Sequence, residues 1–231
     1  MSCKLPSNSM NERYHLLNTL GNDSKKNING WRGHWDERSK TSDDIIWLNG
    51  YCVKGIPLSK EVYYNAVLNP SIEMLELESH HHILEIGCGA GLFLSEIEKN
   101  VKSCVGIDNS LGMLSRFIGK SDVLVSNANQ LPFCQDYFDR ILMYSVAHYY
   151  PSFEYFKMVI RNGLSLLKTK GVFLIGDVLF GEPPVNSQYL YYDKHIIIDF
   201  FDSLCFPYSI RVQNRIKRSI NNRYDIIIYK D

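Results

Sequence analysis

The chain has 231 residues, of which 45% are apolar, so it can form the core of one large α/β domain and is not a disordered chain. Basic and acidic residues both number 25, and the net charge of zero provides no bulk attraction for nucleic acid or for an anionic membrane. No apolar run approaches the roughly 20 residues that span a bilayer. We therefore expect neither a nucleic-acid partner nor insertion into a membrane.

The six cysteines form no C-x-x-C pair, and their spacing predicts neither a zinc site nor a disulfide framework. Several of them lie in apolar stretches, where a thiol is simply a small apolar group. Residues 1–11 are polar and lack the apolar stretch of a signal peptide. We therefore expect a soluble protein of the reducing cytoplasm.

The first third of the chain predicts an extension that precedes the main domain. Residues 1–30 are rich in Asn and Ser with little periodicity, so we expect a flexible segment with one weak helix near Tyr14 to Leu20. Residues 31–79 carry all three tryptophans and predict a helical lid or cap. Within this cap, apolar spacing indicates an amphipathic helix that starts at Ser59 and ends near Pro70.

Over residues 80–231, short apolar runs alternate with helical patterns, which predicts a mostly parallel sheet with helices on both faces. The predicted strands are His82–Gly87, Ser103–Asp108, Asp122–Ser126, Phe138–Tyr144 and Gly171–Asp177. The predicted helices are Leu92–Asn100, Leu111–Ile118, Ser152–Leu167 and Lys194–Cys205. At the end of the chain, Tyr208–Gln213 and Arg223–Lys230 predict a hairpin, so one of these two strands runs antiparallel to the rest of the sheet.

A glycine-rich loop follows the first strand of this domain. The run ILEIGCGAG at residues 83–91 is a buried type of strand that leads into a turn, with a helix behind it. Such a turn lies at the carboxyl end of a strand, where α/β sheets bind ligands. The dinucleotide fingerprint G-x-G-x-x-G requires glycine at position 92, where this chain has Leu92, so the loop favours a ligand without a pyrophosphate. The alternative is a tight turn that binds nothing.

The next strand ends in Asp108, 21 residues after Gly87. A carboxylate at this place can accept hydrogen bonds from two ribose hydroxyls. The alternative is that Asp108 caps the helix predicted from Leu111. Because Asn109 or Ser110 can act as that cap, we favour ribose binding for Asp108.

Four motifs then occur in order over residues 80–231, namely ILEIGCGAG, VGIDNSLGML, NANQLPFCQDYFDRILMYSVAHYY and LLKTKGVFLIGDV. In this order and at this spacing they resemble class I S-adenosylmethionine (SAM) dependent methyltransferases. The resemblance implies a Rossmann-like, seven-stranded, mostly parallel sheet with one antiparallel strand in the C-terminal hairpin, helices on both faces and an N-terminal helical lid. It also implies SAM as the cofactor and S-adenosylhomocysteine as its product.

The resemblance implies a role for each matching residue. Glu85 would lie near the SAM ammonium group, Asp108 would bind the ribose, and Asn109 or Met113 would lie against the adenine. Asn127 replaces an aspartate that the family often has here, and its amide oxygen can still accept a hydrogen bond from the adenine amino group. The complete implied cofactor set is Glu85, Gly87, Cys88, Gly89, Gly91, Asp108, Asn109, Met113, Asn127, Ala128 and Ser145.

The residues expected to act on the acceptor follow later strands. His148 is the candidate general base, because it follows the fourth strand at the edge where acceptors bind in this family and histidine titrates near neutral pH. Asp177 ends the fifth strand and is expected to orient His148 or the substrate. A packing histidine and a loop cap are the alternatives for these two residues. The expected pocket residues, which would form flat apolar walls with polar tips, are Trp31, Trp35, Tyr149 and His195.

The run His80-His81-His82 predicts no metal site, because successive residues of a strand point to opposite faces of the sheet. It also precedes the first strand, at the end away from the expected active site. We therefore expect no metal ion in the function of this protein.

The resemblance implies methyl transfer to a small polar acceptor, with oxygen as the favoured atom. The segments YSVAHYYPSFEYF, FLIGDV and WDERS resemble methyltransferases of bacterial surface-polysaccharide and sugar-derivative pathways. The alternatives are a small-molecule N-methyltransferase and a catalytically inactive SAM-binding partner subunit. Leu92 disfavours a nicotinamide dehydrogenase, and zero net charge disfavours nucleic-acid methylation. We expect a monomer or a homodimer.

Overall fold

The structure of the protein, a computed structural model, describes residues 25–216 and 222–231. The weak helix expected near Tyr14 to Leu20 lies outside the described residues. Helix α1 begins at Lys25 and ends at Arg38, so it includes residues 25–30 of the segment that was expected to be flexible.

The N-terminal cap consists of short helices and one small hairpin. In chain order its elements are α1 (Lys25–Arg38), α2 (Ile45–Leu48), β1 (Cys52–Val53), β2 (Ile56–Pro57), α3 (Lys60–Tyr63), a π-helical segment (Tyr64–Leu68) and α4 (Asn69–Met74). Strands β1 and β2 pair antiparallel with each other and are separate from the main sheet.

The helix expected to end near Pro70 continues to Met74, and the prediction of its end is wrong. Proline has no N–H to donate to the carbonyl four residues earlier, which here belongs to Ala66. The wide turn of the π-helical segment accommodates the proline ring. The Ala66 carbonyl instead accepts a hydrogen bond of 2.9 Å from Nε of Arg215. A distant side chain thus satisfies the group that the proline leaves open.

The main sheet has seven strands in the order β5-β4-β3-β6-β7-β9-β8. The strands are β3 (His82–Ile86), β4 (Ser103–Asp108), β5 (Asp122–Val125), β6 (Phe138–Tyr144), β7 (Leu167–Leu179), β8 (Tyr208–Val212) and β9 (Arg223–Lys230). The helices that follow are α5 (Leu92–Ile97), α6 (Leu111–Leu114), α7 (Phe153–Leu166) and α8 (Lys194–Ser203). Strand β9 runs antiparallel to β7 and β8, and the other neighbouring strands are parallel, which confirms the predicted fold class.

The strands read as continuous apolar runs because both faces of the sheet are covered. Leu84 and Ile86 of β3 belong to a core on one face, together with buried side chains of α7 and α8. Ile83 of the same strand belongs to a second core on the opposite face, against α5 and the cap residues Tyr63 and Val67. The alternation of side chains along a strand sends neighbouring residues to these two cores.

The topology fixes where a ligand can bind. From β3 the chain first crosses to β4 on one side and later returns to β6 on the other side. The crossovers therefore diverge at the carboxyl ends of these three parallel strands and leave a crevice there.

Two further expectations concern membranes and cysteines. Among the described helices, none combines the length and the hydropathy needed to cross a membrane.

Cys52, Cys88, Cys104 and Cys205 are free thiols, as expected. Cys134 is disulfide-bonded, which the cysteine spacing did not predict.

Candidate active site

The loop after β3 has the conformation that its glycines allow. Gly87, Gly89 and Gly91 have φ angles of +76°, +57° and +75°, in the left-handed region that favours glycine. A Cβ atom on Gly87 would lie 2.4 Å from a methyl group of Val146, and one on Gly91 would lie 2.2 Å from the ring of Phe117. Conformation and space therefore both require glycine in this loop.

Asp108 holds the loop against the end of β4. One carboxylate oxygen accepts a hydrogen bond of 2.9 Å from the Gly89 N–H, and the other accepts one of 2.8 Å from the Ser110 N–H. Burial raises the pKa of Asp108, although the backbone hydrogen bonds oppose that shift. The N-cap of α6 is Ser110, whose hydroxyl accepts from the Met113 N–H, so the capping alternative for Asp108 is excluded.

Two buried acceptor atoms at this edge have no hydrogen-bond partner within the described part of the chain. They are Oε2 of Glu85, at the end of β3, and Oδ1 of Asn127, just beyond β5. Burial, and secondarily the charge of Asp108, raises the pKa of Glu85 well above its ordinary value. A buried polar group without a partner costs about 1–3 kcal/mol, and such groups are few in folded proteins. An ammonium group at Glu85 and an amino group at Asn127 are the partners that SAM supplies, so the residues fit this cofactor.

One cavity collects most of the residues expected to bind the cofactor. Those that line it are Glu85, Gly87, Cys88, Gly89, Asp108, Asn109, Met113, Ala128 and Ser145. Gly91 and Asn127 are not among the lining residues, but each directly precedes one in the sequence, namely Leu92 and Ala128. Trp31, Trp35 and Tyr149, which were expected in the acceptor pocket, line the same cavity.

The remaining predicted residues lie outside the cavity lining. His195 is exposed in the first turn of α8, where its N–H donates to the N-cap Asp193. His148 is buried, and its ring contacts Tyr149 and Tyr189 at centroid distances of 4.2 and 5.2 Å. Its ring therefore packs on these two tyrosines and does not line the cavity. The sequence pattern predicts where His148 lies along the chain, but it does not predict how the ring packs.

Asp177 takes part in a buried network at the ends of β6 and β7. Its carboxylate accepts hydrogen bonds of 2.5 Å from the Ser145 hydroxyl and from the Arg223 guanidinium. Ser145 and Asp177 have φ angles of +58° and +64°, a conformation that costs residues with a side chain about 1–3 kcal/mol. The two strained residues are held together by their own hydrogen bond, and Asp177 thereby fixes the Ser145 hydroxyl at the cavity.

An aromatic wall, formed by Trp31, Trp35, Tyr149 and Tyr189, lies at one side of the cavity. Trp31 contacts Tyr149 edge to face at 4.7 Å between ring centroids and stacks on Tyr189 at 5.5 Å. Trp35 contacts Tyr149 at 5.5 Å. These rings come from α1, from the turn after β6 and from the loop before α8, so the wall exists only when the cap is docked on the sheet.

The sequence did not identify several cavity residues, above all Asn49 and Tyr51 of the cap and Tyr144 at the end of β6. Asn49 accepts a hydrogen bond of 3.1 Å from the N–H of Ala90, which is 41 residues away. No motif or periodicity connects positions so far apart. The single available signal was the cluster of aromatic residues in the cap, which indicated a lid but not its contacts.

The histidine run behaves partly as expected. His82 hydrogen-bonds Ser103 through Nδ1 at 2.6 Å and does not join its neighbours. Ligand atoms of Glu78, His80 and His81 nevertheless lie within 4.8 Å of one another, because the turn before β3 brings them together. This group is at the amino end of β3, at the opposite edge of the sheet from the glycine loop, and contributes nothing to the cavity.

Comparison with known sequences agrees with this geometry. Residues 84–175 match the family model described as a methyltransferase domain. The uncharacterized methyltransferase YcgJ of Bacillus subtilis (strain 168) is 30% identical over 127 residues, which cover 52% of this chain and 49% of that protein. Chondramide synthase cmdD of Chondromyces crocatus is 27% identical over 143 residues, which cover 57% of this chain and 4% of the synthase. The chain thus spans less than half the length of these curated relatives.

Solved structures show the same fold. The crystal structure of YcgJ from Bacillus matches with a TM-score of 0.56 at 16% identity, covering 71% of this chain and 97% of that one. Magnesium protoporphyrin IX methyltransferase (ChlM) from Synechocystis PCC 6803, solved with bound SAM, matches with a TM-score of 0.63 at 12% identity, covering 93% of this chain and 100% of that one. Likenesses at such low identity show the fold. Residues 84–175 thus resemble a methyltransferase domain, and the chain has the fold of these solved methyltransferases.

Proposed function

We propose that the protein transfers the methyl group of SAM to a small polar acceptor. The observation that carries the proposal is the cavity that brings together the Asp108 carboxylate and the Glu85 carboxylate, one oxygen of which has no partner among the described residues. These two groups complement the ribose and the ammonium of one ligand, and Asn127, which precedes the lining residue Ala128, is proposed to accept from the adenine amino group. When bound, SAM supplies a methyl group that is activated by positive sulfur.

The residues of the chain contribute position and exclusion of water. Glu85 is buried and Asp108 is half-buried, so their hydrogen bonds to a ligand form in a site of lowered dielectric and are strengthened there. The ring of Tyr149 and the Ser145 hydroxyl line the side of the cavity that remains for the acceptor. Positioning of this kind contributes roughly 7–11 kcal/mol to a bimolecular reaction.

For the acceptor we propose a sugar or a sugar-linked metabolite of surface-polysaccharide biosynthesis, methylated on oxygen. Flat rings of Trp31, Trp35 and Tyr149 suit the apolar face of a sugar, and the Ser145 hydroxyl can hydrogen-bond one of its hydroxyl groups. Within this proposal Asp177 acts by positioning Ser145. His148 is proposed as the base, or as the residue that positions Tyr149, because its ring packs directly on Tyr149.

Thermal unfolding with SAM, S-adenosylhomocysteine or NAD tests the proposal for the cofactor. A ligand at 100 times its Kd stabilises the protein by about 2.7 kcal/mol, so SAM and its product should raise the Tm and NAD should not. Asp108→Ala should weaken the binding of S-adenosylhomocysteine at least roughly tenfold in calorimetry, because the ribose loses a charged partner. A Tm that responds to neither SAM nor its product would refute the proposal.

Release of S-adenosylhomocysteine in the presence of sugar or amine acceptors then tests the reaction. Turnover with a sugar supports O-methylation, turnover with amines alone supports an N-methyltransferase, and binding without any turnover supports an inactive partner subunit. With the true acceptor, His148→Ala should lower kcat and leave the affinity for SAM unchanged.

A further inference from the structure

The cap places one amide side chain directly on the glycine loop. Asn49 follows α2, and its Oδ1 accepts the hydrogen bond from the Ala90 N–H at 3.1 Å. A Cβ atom on Gly89 would lie 2.5 Å from the same oxygen, so the amide rests on the loop where glycine leaves room for it. Asn49 is half-buried and lines the cavity.

The nitrogen of this amide has a donor to spare. An amide nitrogen carries two N–H donors, and one of them donates to the Ile45 carbonyl at 2.8 Å. This bond and the bond to Ala90 fix the orientation of the amide from both sides. Because Asn49 lines the cavity and its amide is already oriented, an acceptor group that binds the second N–H need not order this side chain.

The charges around the cavity show which ligand group this donor serves. The two carboxylates that line the cavity, those of Glu85 and Asp108, suit the ammonium and the ribose. The amino-acid end of SAM also carries a carboxylate, yet none of the described lining residues is lysine or arginine. A neutral donor suits that carboxylate, and Asn49 is a side-chain amide of the cavity lining that lies on the glycine loop, which follows Glu85.

A second contact fixes the cap on the other side of Asp108. Oδ1 of Asp36 in α1 accepts hydrogen bonds from the Ser110 hydroxyl at 2.6 Å and from the Gly112 N–H at 2.9 Å. Asp36 thus anchors the cap beside the ribose and adenine end, whereas Asn49 anchors it at the amino-acid end. Two ligands that differ only at the amino-acid end can therefore distinguish the effect of Asn49 from the effect of Asp36.

We propose that Asn49 is a cofactor-binding residue contributed by the cap, and that its amide recognises the amino-acid carboxylate of SAM. The inference rests on the proposed function and adds a residue that the motifs of the sheet domain do not contain. It makes tight binding of the amino-acid end depend on docking of the cap, since the donor leaves the site when the cap leaves the loop.

Calorimetry with two ligands tests this proposal in the full-length protein. S-adenosylhomocysteine carries the amino-acid end, and 5′-methylthioadenosine lacks it. Asn49→Asp keeps the shape and the oxygen that accepts from Ala90, but removes the donor and adds a negative charge. We expect this variant to bind S-adenosylhomocysteine roughly tenfold or more weakly, and 5′-methylthioadenosine within about twofold of wild type, because a hydrogen bond to a charged group is lost for one ligand alone.

Asp36→Asn is the matched control, because it exchanges a carboxylate and an amide at the cap contact with Ser110 and Gly112 and leaves the contact between Asn49 and Ala90 in place, so it should affect both ligands by the same factor. Asn49→Ala repeats the measurement if Asn49→Asp has a lowered Tm. Equal loss for both ligands in the Asn49 variants, or no loss for either, would overturn the inference. If the wild type binds neither ligand, the proposed function itself fails, which is a different result.

Discussion

At the scale of the residue, Glu85 is a buried carboxyl group whose desolvation disfavours folding without a ligand and favours binding of a cation. Its carboxyl group is buried at the end of β3, and one oxygen has no partner within the described residues. Because burial disfavours the charged form, the pKa of Glu85 is raised. Folding without a ligand therefore carries a cost at neutral pH that an ammonium group in the cavity removes.

Glu85→Gln should accordingly stabilise the protein in the absence of ligand. The pKa in the folded state lies above the ordinary value of 4.5, so the protonated form favours folding. The free energy of unfolding of the wild type should fall as the pH rises through 4.5 towards the pKa in the folded state, and Glu85→Gln should lack this contribution. In urea unfolding between pH 4 and 8, we expect the variant to exceed the wild type by roughly 1–3 kcal/mol at pH 7.

The same variant should bind S-adenosylhomocysteine more weakly, since it loses the charge that meets the ammonium group. Glu61→Gln, on the exposed side of α3, serves as the control and should change neither quantity. An equal pH dependence for wild type and Glu85→Gln would mean that Glu85 ionises normally in the folded protein.

At the scale of the element, the C-terminal hairpin holds together the ends of β6 and β7 beside the cavity. Asp225 of β9 is fully buried, and its carboxylate accepts hydrogen bonds from Arg215, Gln213 and the N–H of Asp177. Gln213 also donates to the Tyr144 hydroxyl at 2.7 Å. The network thus connects β9 with the ends of β6 and β7, where the strained residues of the site lie.

Arg215→Met should destabilise the protein strongly, because it leaves the Asp225 carboxylate buried beside fewer donors. Removing one partner of a buried pair costs about 3–5 kcal/mol, and the partial exposure of Arg215 places the expectation near about 3 kcal/mol. Chemical unfolding gives the loss, and Arg211→Met on the exposed side of β8 is the control. The double variant Arg215→Met/Asp225→Asn should recover part of it; if it recovers none, the loss comes from the Ala66 contact rather than from the charge.

Most strands that are buried on both faces could be predicted to within one residue, whereas β7 begins four residues earlier and ends two residues later than predicted. The bounds of β4, β6 and β9 coincide with the predicted runs, because a covered strand must be apolar throughout and polar residues mark its ends. The prediction that the cap helix ends near Pro70 was wrong. The Ala66 carbonyl, which the proline leaves without a donor, accepts a hydrogen bond from Arg215, a residue far along the chain. Local sequence carries the propensity of a segment but not the tertiary contact that overrides it.

The same limit applies to the site. The glycine loop and Asp108 follow directly from the ends of two strands, so their meeting at the cavity is a consequence of topology. His148 also follows a strand, yet the structure places its ring behind Tyr149, because a turn can direct a side chain either way. Contacts of Asp36 and Asn49 cross between cap and sheet, and no spacing in the sequence encodes them.

At the scale of the whole molecule, one part of the cap lines the cavity and another part covers a face of the sheet. Residues up to about 58 carry the groups that reach the cavity, namely Trp31, Trp35, Asn49 and Tyr51. The helical stretch after them covers one face of the sheet. Its buried apolar side chains are Tyr63, Ala66, Val67, Leu68, Met74 and Leu75. The boundary proposed at residue 80 therefore separates the motifs of the family from part of the core on which they depend.

Truncation should separate these two roles. Full burial of a large apolar side chain contributes about 1.5–3 kcal/mol, so the helical stretch contributes on the order of 10 kcal/mol, as much as the net stability of a typical domain. A protein of residues 80–231 should therefore fail to unfold cooperatively and should expose the apolar face around Ile83 and Leu142. A protein of residues 59–231 should retain a cooperative transition but bind S-adenosylhomocysteine weakly, because it lacks Asn49 and the tryptophans. Circular dichroism on heating and calorimetry measure both properties, and a cooperative transition in the shorter protein would show that the sheet does not need the cap.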